Sequence, residues 1–262
     1  MRWSIISAVV QRELREVASN RLLVIGIVIP PIALVTFPLL LGVLLPSQPL
    51  PDSFRVQILA QRPDWHRLPD RALTGAFTVQ QFLPYFLLMP AYVPLAIATY
   101  SIIGEKQSRS LEAVLATPIR TQELLAGKTL AALTPGVLTG WLTYGVFFAL
   151  ASLTYGPDVI GVITDGSWLA GVFVLGPAIG LASTVAGVLV SSRVSDPRVG
   201  QQIGGVIIVP LVAVGILQAT GTVLVGTSGY LSLALVVGAL GLVGLRLGAW
   251  LFARETILTR WK

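Results

Sequence analysis

Long apolar stretches separated by short polar ones dominate the pattern of this chain. Six of them reach the roughly 20 residues that an α-helix needs to cross a bilayer. They cover residues 22–45, 82–103, 130–153, 168–190, 203–223 and 230–252. The pattern predicts an all-α integral membrane protein with six transmembrane helices in a single transmembrane domain, 1–262. With an even number of spans, both termini lie on the same side of the membrane.

Prolines and glycines recur within these spans. The first five spans each contain proline, at Pro30, Pro31, Pro38, Pro84, Pro90, Pro94, Pro135, Pro177 and Pro210. Proline removes a backbone hydrogen bond from a helix, and neighbouring helices in a bundle can satisfy the freed carbonyl, so we expect kinked spans. Small residues at helical spacing, such as Gly136 with Gly140 and Gly176 with Gly180, favour close packing of helices and dimerisation.

Residues 1–20 alternate apolar and charged positions at helical spacing. The apolar side comprises Trp3, Ile6, Val9, Val10, Leu14 and Val17. Arg12, Arg15 and Arg21 supply a basic side. Such a helix lies in the membrane interface rather than crossing the bilayer. The alternative is a charged lead-in without a membrane contact.

The segment 46–81, between the first two spans, is rich in proline and charge. It includes Pro49, Pro51, Asp52 and Asp64. We expect it to form a small ordered cap over the first two spans, containing a short strand or helix. A role in gating a substrate is left open.

Composition and charge fix the class and the orientation. The chain is 54% hydrophobic and 11% charged, with a mean hydropathy of +0.81, whereas soluble domains carry about 25% charged residues. The side that holds the termini has most of the basic residues, and the opposite side has Arg55, Arg62, Arg67 and Arg71 in one long loop. Since basic loops stay in the cytoplasm, both termini are predicted to be cytoplasmic, in the cell's inner (plasma) membrane. The net charge of +6 therefore reflects topology and membrane lipid rather than nucleic acid.

The segment 104–128 is the longest polar stretch with apolar spans directly on both sides. As a helix it places Leu111, Val114 and Leu115 on one stripe, spaced i, i+3 and i+4. The charged residues Glu105, Arg109 and Glu112 lie mostly off that stripe. Thr117-Pro118 ends the helix, because proline disfavours α geometry in the preceding residue. The sequence predicts a short amphipathic helix at the membrane surface, followed by re-entry into the third span.

This segment resembles a known family signature. The matching residues are Glu105-Lys106, Ser110-Leu111-Glu112, Leu115-Ala116-Thr117-Pro118 and Leu124-Leu125-Ala126-Gly127-Lys128. They resemble the ABC type-2 permeases, the membrane subunits of ATP-binding-cassette exporters.

The resemblance implies a cytoplasmic coupling helix between spans two and three, which docks on a separate cytosolic ATPase subunit. The docking residues would be Glu105, Arg109, Leu111, Glu112, Val114 and Leu115. It also implies an N-terminal connecting helix and two ATPase copies that carry ATP and Mg. A second permease subunit completes the assembly, with homodimer and heterodimer both open.

The chain contains few residues that could form a catalytic, metal or nucleotide site. It has no cysteine and one histidine, His66, so a metal site built from His and Cys is not expected. Gly127-Lys128-Thr129 lacks the glycine that a phosphate-binding loop needs five residues before Gly127, because that position is Gln122. Lys128 is instead interpreted as an interfacial anchor at the end of span three. We expect no catalytic site and no cofactor in this chain.

Polar residues within the spans are the candidates for a substrate path. They are Tyr100, Thr139, Thr143, Tyr144, Gln218 and Arg246. Arg246 is the exceptional ionisable group, and its alternative role is to extend to the interface. A lining that is only weakly polar suits an amphiphilic or lipid-like cargo. The same residues also serve as ordinary hydrogen-bond partners between helices.

Two functions remain in view from sequence. The first is the permease subunit of an ABC exporter, driven by ATP hydrolysis on a partner. The alternative is a membrane scaffold that recruits a cytosolic partner without transport.

Overall fold

The computed structural model describes residues 2–44, 50–108 and 119–251. The regular secondary structure of these residues is helical, without a strand. The α-helices in chain order are α1 Trp3–Ser19, α2 Arg21–Leu44, α3 Asp52–Gln61, α4 Asp70–Gln80, α5 Leu83–Phe86, α6 Leu88–Gln107, α7 Thr121–Thr154, α8 Pro157–Ile163, α9 Gly166–Leu169, α10 Gly176–Arg193, α11 Pro197–Gly204, α12 Val209–Ala219 and α13 Thr227–Leu251.

Within the described residues, six helical segments are long and apolar enough to cross a membrane, which confirms the six predicted spans. They are Arg21–Gly42, Asp70–Gln107, Gln122–Thr154, Pro157–Arg193, Pro197–Ala219 and Thr227–Gly248. The second and fourth are longer than predicted, because α4 and α8 precede their apolar parts. We call the end of the bundle that carries α1 the N-terminal side and the opposite end the cap side.

Several spans are interrupted next to proline. A π-helical turn, Ala170–Leu175, comes just before Pro177, and a 3-10 turn, Gly205–Ile208, comes just before Pro210. Pro94 and Pro135 lie inside α6 and α7. Since proline has no N–H to donate, the helix changes its hydrogen-bonding pattern locally or bends. The fourth and fifth spans are therefore irregular next to proline, whereas Pro94 and Pro135 lie within continuous helices, and kinking of the spans stays a prediction.

The core of the bundle is aromatic on its cap side. The ring centroids of Phe86, Phe147 and Trp168 lie 5.1 to 5.8 Å apart, and the ring of Tyr144 lies 5.9 Å from that of Trp168, tilted by 30°. All four side chains are buried. They join the second, third and fourth spans, because Phe86 precedes α6, Phe147 lies on α7 and Trp168 precedes α10.

Helix α1 lies along the first turns of α7. Its buried residues are Ile6 and Glu13, whereas Trp3 is 72% exposed. The contact with α7 is close at Gly127, where a Cβ would lie 2.7 Å from Cγ1 of Val9. Only a glycine fits this crossing without a shift of α1. The predicted N-terminal interfacial helix is therefore docked on the bundle along one face.

The cap is formed by residues 50–80. Its apolar core joins Ile58, Leu73 and Phe77 to Val162 of α8 and to Leu224. The sequence placed this cap over the first two spans. In the structure it also covers the connections after the third and fifth spans, because the residues of α4 from Leu73 to Gln80 are buried and pack against α8.

The connection after α12 is hydrogen-bonded to the cap through the backbone carbonyl of Gly221. Gly221 has a φ of +67°, which favours glycine. Its carbonyl accepts hydrogen bonds from the amides of Gln57 at 2.9 Å and Gln61 at 2.8 Å. A Cβ on Gly221 would also meet the ring of Phe54 at 2.7 Å. The turn therefore needs glycine for two independent reasons.

The crossing of α1 and α7 generates a testable prediction. Gly127→Leu places a side chain where Val9 lies, and overpacking of this kind costs about 1–3 kcal/mol. We expect a lower midpoint of thermal unfolding for the purified protein in mild detergent. Gly145→Leu is the matched control on the same helix, because its Cβ would meet nothing within 4 Å. Equal midpoints for the two variants would contradict the close contact.

Candidate functional site

The N-terminal side of the bundle brings together α1, the end of α6 and the start of α7. The last two helices flank the segment that the sequence predicts as a docking helix. Of the predicted docking residues, Arg109, Leu111, Glu112, Val114 and Leu115 lie outside the described residues. Glu105 is described, near the end of α6.

Lys128 of α7 lies at the centre of this junction. Its Nζ donates to Oε1 of Glu13 on α1 at 2.6 Å and to Oγ of Ser101 on α6 at 2.6 Å. It also lies 3.0 Å from Oε2 of Glu105. The side chains of Lys128, Glu13 and Glu105 are 6%, 3% and 4% exposed. The expectation that Lys128 is an interfacial anchor is therefore wrong: α1 covers it, and its ammonium is buried between two carboxylates.

Arg12 adds a second cation at the edge of the junction. Its Nη2 lies 3.4 Å from Oε1 of Glu105, and its Nε donates to Glu16 at 3.0 Å. Each carboxylate oxygen of Glu105 thus faces one cation. We call Arg12, Glu13, Ser101, Glu105 and Lys128 the junction cluster. Glu13, Glu105 and Lys128 are buried in it, whereas Arg12 is 45% exposed and lies at its edge.

A second ionic contact joins the start of α1 to the start of α7. The backbone N–H of Arg2 donates to Oε1 of Glu123 at 2.9 Å, and its Nη2 donates to Oε2 at 3.0 Å. Glu123 also accepts the N–H of Arg120 at 3.3 Å. An acid in the first turn is favoured by the helix dipole. Helix α1 is therefore attached to α7 at its start, through Arg2, and again in its second half, through Glu13.

The end of α6 is also attached to α10. Nζ of Lys106 donates to the carbonyls of Ser191 at 2.5 Å and Ser192 at 2.9 Å. The amide of Gln107 donates to the carbonyl of Ser195 at 2.9 Å. Lys106 thus satisfies carbonyls in the last turn of α10 that have no partner within the helix, and Gln107 bonds to the connection that follows α10.

The predicted substrate-path residues are spread through the bundle. Tyr100 is half-buried on α6, and Arg246 is exposed on α13. Oγ1 of Thr143 donates to the carbonyl of Thr139 at 2.6 Å. The hydroxyl of Tyr144 donates to the carbonyl of Ile163 at 3.0 Å. Both of these hydroxyl groups thus bond to backbone carbonyls.

The remaining residue of the predicted substrate path, Gln218, belongs to a buried polar layer on the cap side. Its Nε2 donates to the carbonyl of Gln80 at 3.3 Å, and its Oε1 accepts the hydroxyl of Tyr230 at 3.4 Å. Oε1 of Gln80 accepts the indole N–H of Trp168 at 3.0 Å, and its Nε2 donates to Ser167 at 3.5 Å. The sequence analysis missed Gln80, because it fell in the segment predicted as an external loop.

Asp165 connects this layer to the cap. Its Oδ1 accepts the backbone N–H of Ser167 at 2.8 Å and that of Trp168 at 3.1 Å, while its Oδ2 accepts Nη2 of Arg62 at 2.5 Å. Arg62 also donates two hydrogen bonds to Asp64. The hydrogen bond from Arg62 lowers the pKa of Asp64, whose charge is thereby retained to lower pH.

The six spans and the docked N-terminal helix can now be compared with known proteins. The profile of the family described as "ABC-2 family transporter protein" matches residues 24–236, which is most of the chain. The chain belongs to the ABC-2 transporter family. A comparison with curated proteins found no match. Membership makes this ABC-2 protein a membrane component of transport and implies association with an ABC ATPase subunit.

The buried charges of this ABC-2 protein generate a second prediction. Lys128→Met leaves Glu13 and Glu105 buried without their shared cation, and removing one partner of a buried ion pair costs about 3–5 kcal/mol. We expect a marked fall in the thermal midpoint of the purified protein. The double variant Glu13→Gln with Lys128→Met recovers most of it, because Arg12 still faces Glu105.

Glu16→Gln is the control for this series. It removes the exposed pair with Arg12, whose side chains are each 45% exposed, and exposed pairs contribute at most about 1 kcal/mol. A Lys128→Met midpoint no lower than that of Glu16→Gln would show that the junction cluster contributes nothing to stability.

Proposed function

We propose that this chain is the permease subunit of an exporter driven by ATP hydrolysis on a separate cytosolic ATPase. The observation that carries the proposal is the junction cluster, in which α1 binds the two helices on either side of the segment 109–118. In this proposal the segment is a coupling helix, and Leu111, Val114 and Leu115 pack on the ATPase. Arg109 and Glu112 fix the register through charge pairs.

The position of Glu105 refines its proposed role. Because its carboxylate is buried against Lys128 and Arg12, it positions the end of α6 on α1 and is not exposed to a partner in this arrangement. The junction cluster holds together α6 and α7, the two helices that flank the proposed coupling helix, by binding both of them to α1. Displacement of the segment 109–118 would then move α1, α6 and α7 together.

The proposed assembly has two permease subunits and two ATPase subunits. The permease lies in the inner (plasma) membrane, with both of its termini in the cytoplasm. ATP, with Mg, closes the ATPase dimer and moves the coupling helix, which tilts the proline-containing spans between inward- and outward-open states. The weakly polar spans support an amphiphilic or lipid-like cargo. This direction of transport follows from the resemblance to exporters.

The first experiment is purification of the tagged, full-length protein from native membranes in mild detergent. We expect a cassette-type ATPase to copurify in stoichiometric amount and to show vanadate-sensitive ATP hydrolysis. A pure, inactive protein without a nucleotide-binding partner, even after crosslinking in membranes, would overturn the exporter and favour a scaffold.

A substitution then tests the docking surface. Leu111→Asp with Leu115→Asp places two charges in an apolar contact, and we expect about tenfold less ATPase to be recovered with the permease. Leu111→Ile with Leu115→Ile is the matched control, since it keeps volume and apolar character. Undiminished recovery with the Asp pair would place the ATPase contact elsewhere.

A further inference from the structure

A groove opens between the fourth and sixth spans on the N-terminal side. It is open to its surroundings and has a volume of about 450 Å³. Its walls come from the end of α10, from α11 and from α13, through Leu189, Val190, Ser192, Arg193, Val194, Ile203 and Leu247. We propose that this groove binds one anionic phospholipid of the surrounding leaflet, with an acyl chain inside and the phosphate on Arg193. The proposal does not rest on the proposed function.

The lining has the polarity of an amphiphile. Leu189, Val190, Val194, Ile203 and Leu247 are apolar, and the last two are 50% and 52% exposed. Walls of this kind accept an acyl chain of the leaflet, but they give no preference between lipids, because lipid tails are as apolar as these side chains. An occupant that is apolar along most of its length therefore fits the walls.

Arg193 supplies the charge at one end of the groove. It is the last residue of α10, and its side chain is exposed. Two further charged residues follow closely in the sequence. Arg198, in the first turn of α11, adds to the positive charge, and Asp196, which caps α11, accepts the backbone N–H of Arg198 through Oδ1 at 2.7 Å. Basic pockets between transmembrane helices are suited to anionic head groups.

Lys106 removes the electrostatic obstacle to an anion at this place. A helix C-terminus carries partial negative charge, which repels phosphate. At the end of α10, the ammonium of Lys106 donates hydrogen bonds to the carbonyls of Ser191 and Ser192, and its positive charge offsets the partial negative charge of the helix end. The phosphate thus meets the guanidinium of Arg193 beside a neutralised helix end.

Native mass spectrometry of the detergent-purified, full-length protein tests the proposal. Phosphatidylglycerol and phosphatidylcholine with identical acyl chains are titrated separately, with inorganic phosphate in a third series. We expect one phosphatidylglycerol to bind in preference to phosphatidylcholine, and no comparable binding of phosphate alone. Equal binding of the two lipids, or saturation by phosphate alone, would overturn the proposal.

Two variants locate the site. Arg193→Gln should weaken binding of phosphatidylglycerol about tenfold, the effect of losing one charge-assisted hydrogen bond. Ile203→Trp fills the groove from a half-exposed position and should weaken it while leaving the thermal midpoint of the lipid-free protein unchanged. Arg15→Gln is the control, an exposed arginine on the same side. If Arg15→Gln weakens binding as much as Arg193→Gln, or Ile203→Trp has no effect, the lipid is held by general surface charge.

Discussion

The buried ammonium of Lys128 is the constraint on which the N-terminal side of this molecule depends. It requires carboxylates from two other helices, Glu13 of α1 and Glu105 of α6, which are 115 and 23 positions away in the sequence. A buried ion pair adds little net stability compared with apolar packing, but breaking it is costly. We therefore attribute to it the register of α1. Only one rotation of that helix brings Glu13 to Lys128 and Val9 to Gly127.

The two ends of the bundle are held by different arrangements of polar groups. On the N-terminal side the ammonium of Lys128 is buried between carboxylates. On the cap side the buried layer consists of neutral groups such as Gln80, Trp168 and Gln218, and the partly exposed ion pair of Arg62 with Asp165 joins that layer to the cap. Between them the spans approach closely, and a Cβ on Gly180 would lie 3.4 Å from the carbonyl of Pro90. Because interfaces of this kind are packed tightly, a change of shape has to exchange one set of polar contacts for another.

The sequence was sufficient for the six spans, because length and apolar character are local properties. It was insufficient for the junction cluster, because burial of Lys128 depends on the packing of α1. One signal was present: Glu13 follows Ile6 by seven residues, so it lies on the buried side of α1. The observed cap differs from the predicted external loop for a similar reason. On α4, polar residues such as Thr74, Thr78 and Gln80 are buried beside apolar ones, and α8, which lies far along the chain, packs against this helix.

The contacts on the N-terminal side also indicate how far a displacement would spread. Asn20 joins α1 to α2, and its side chain accepts the N–H groups of Leu22 and Leu23 at the start of α2. Lys106 joins α6 to α10. A force on the segment between α6 and α7 thus reaches four spans through short polar contacts. The sixth span, α13, meets this unit along α10, where Gly244 packs against Val185. The proposed lipid would lie at that boundary, where its acyl chain would fill space between α13 and the four connected spans.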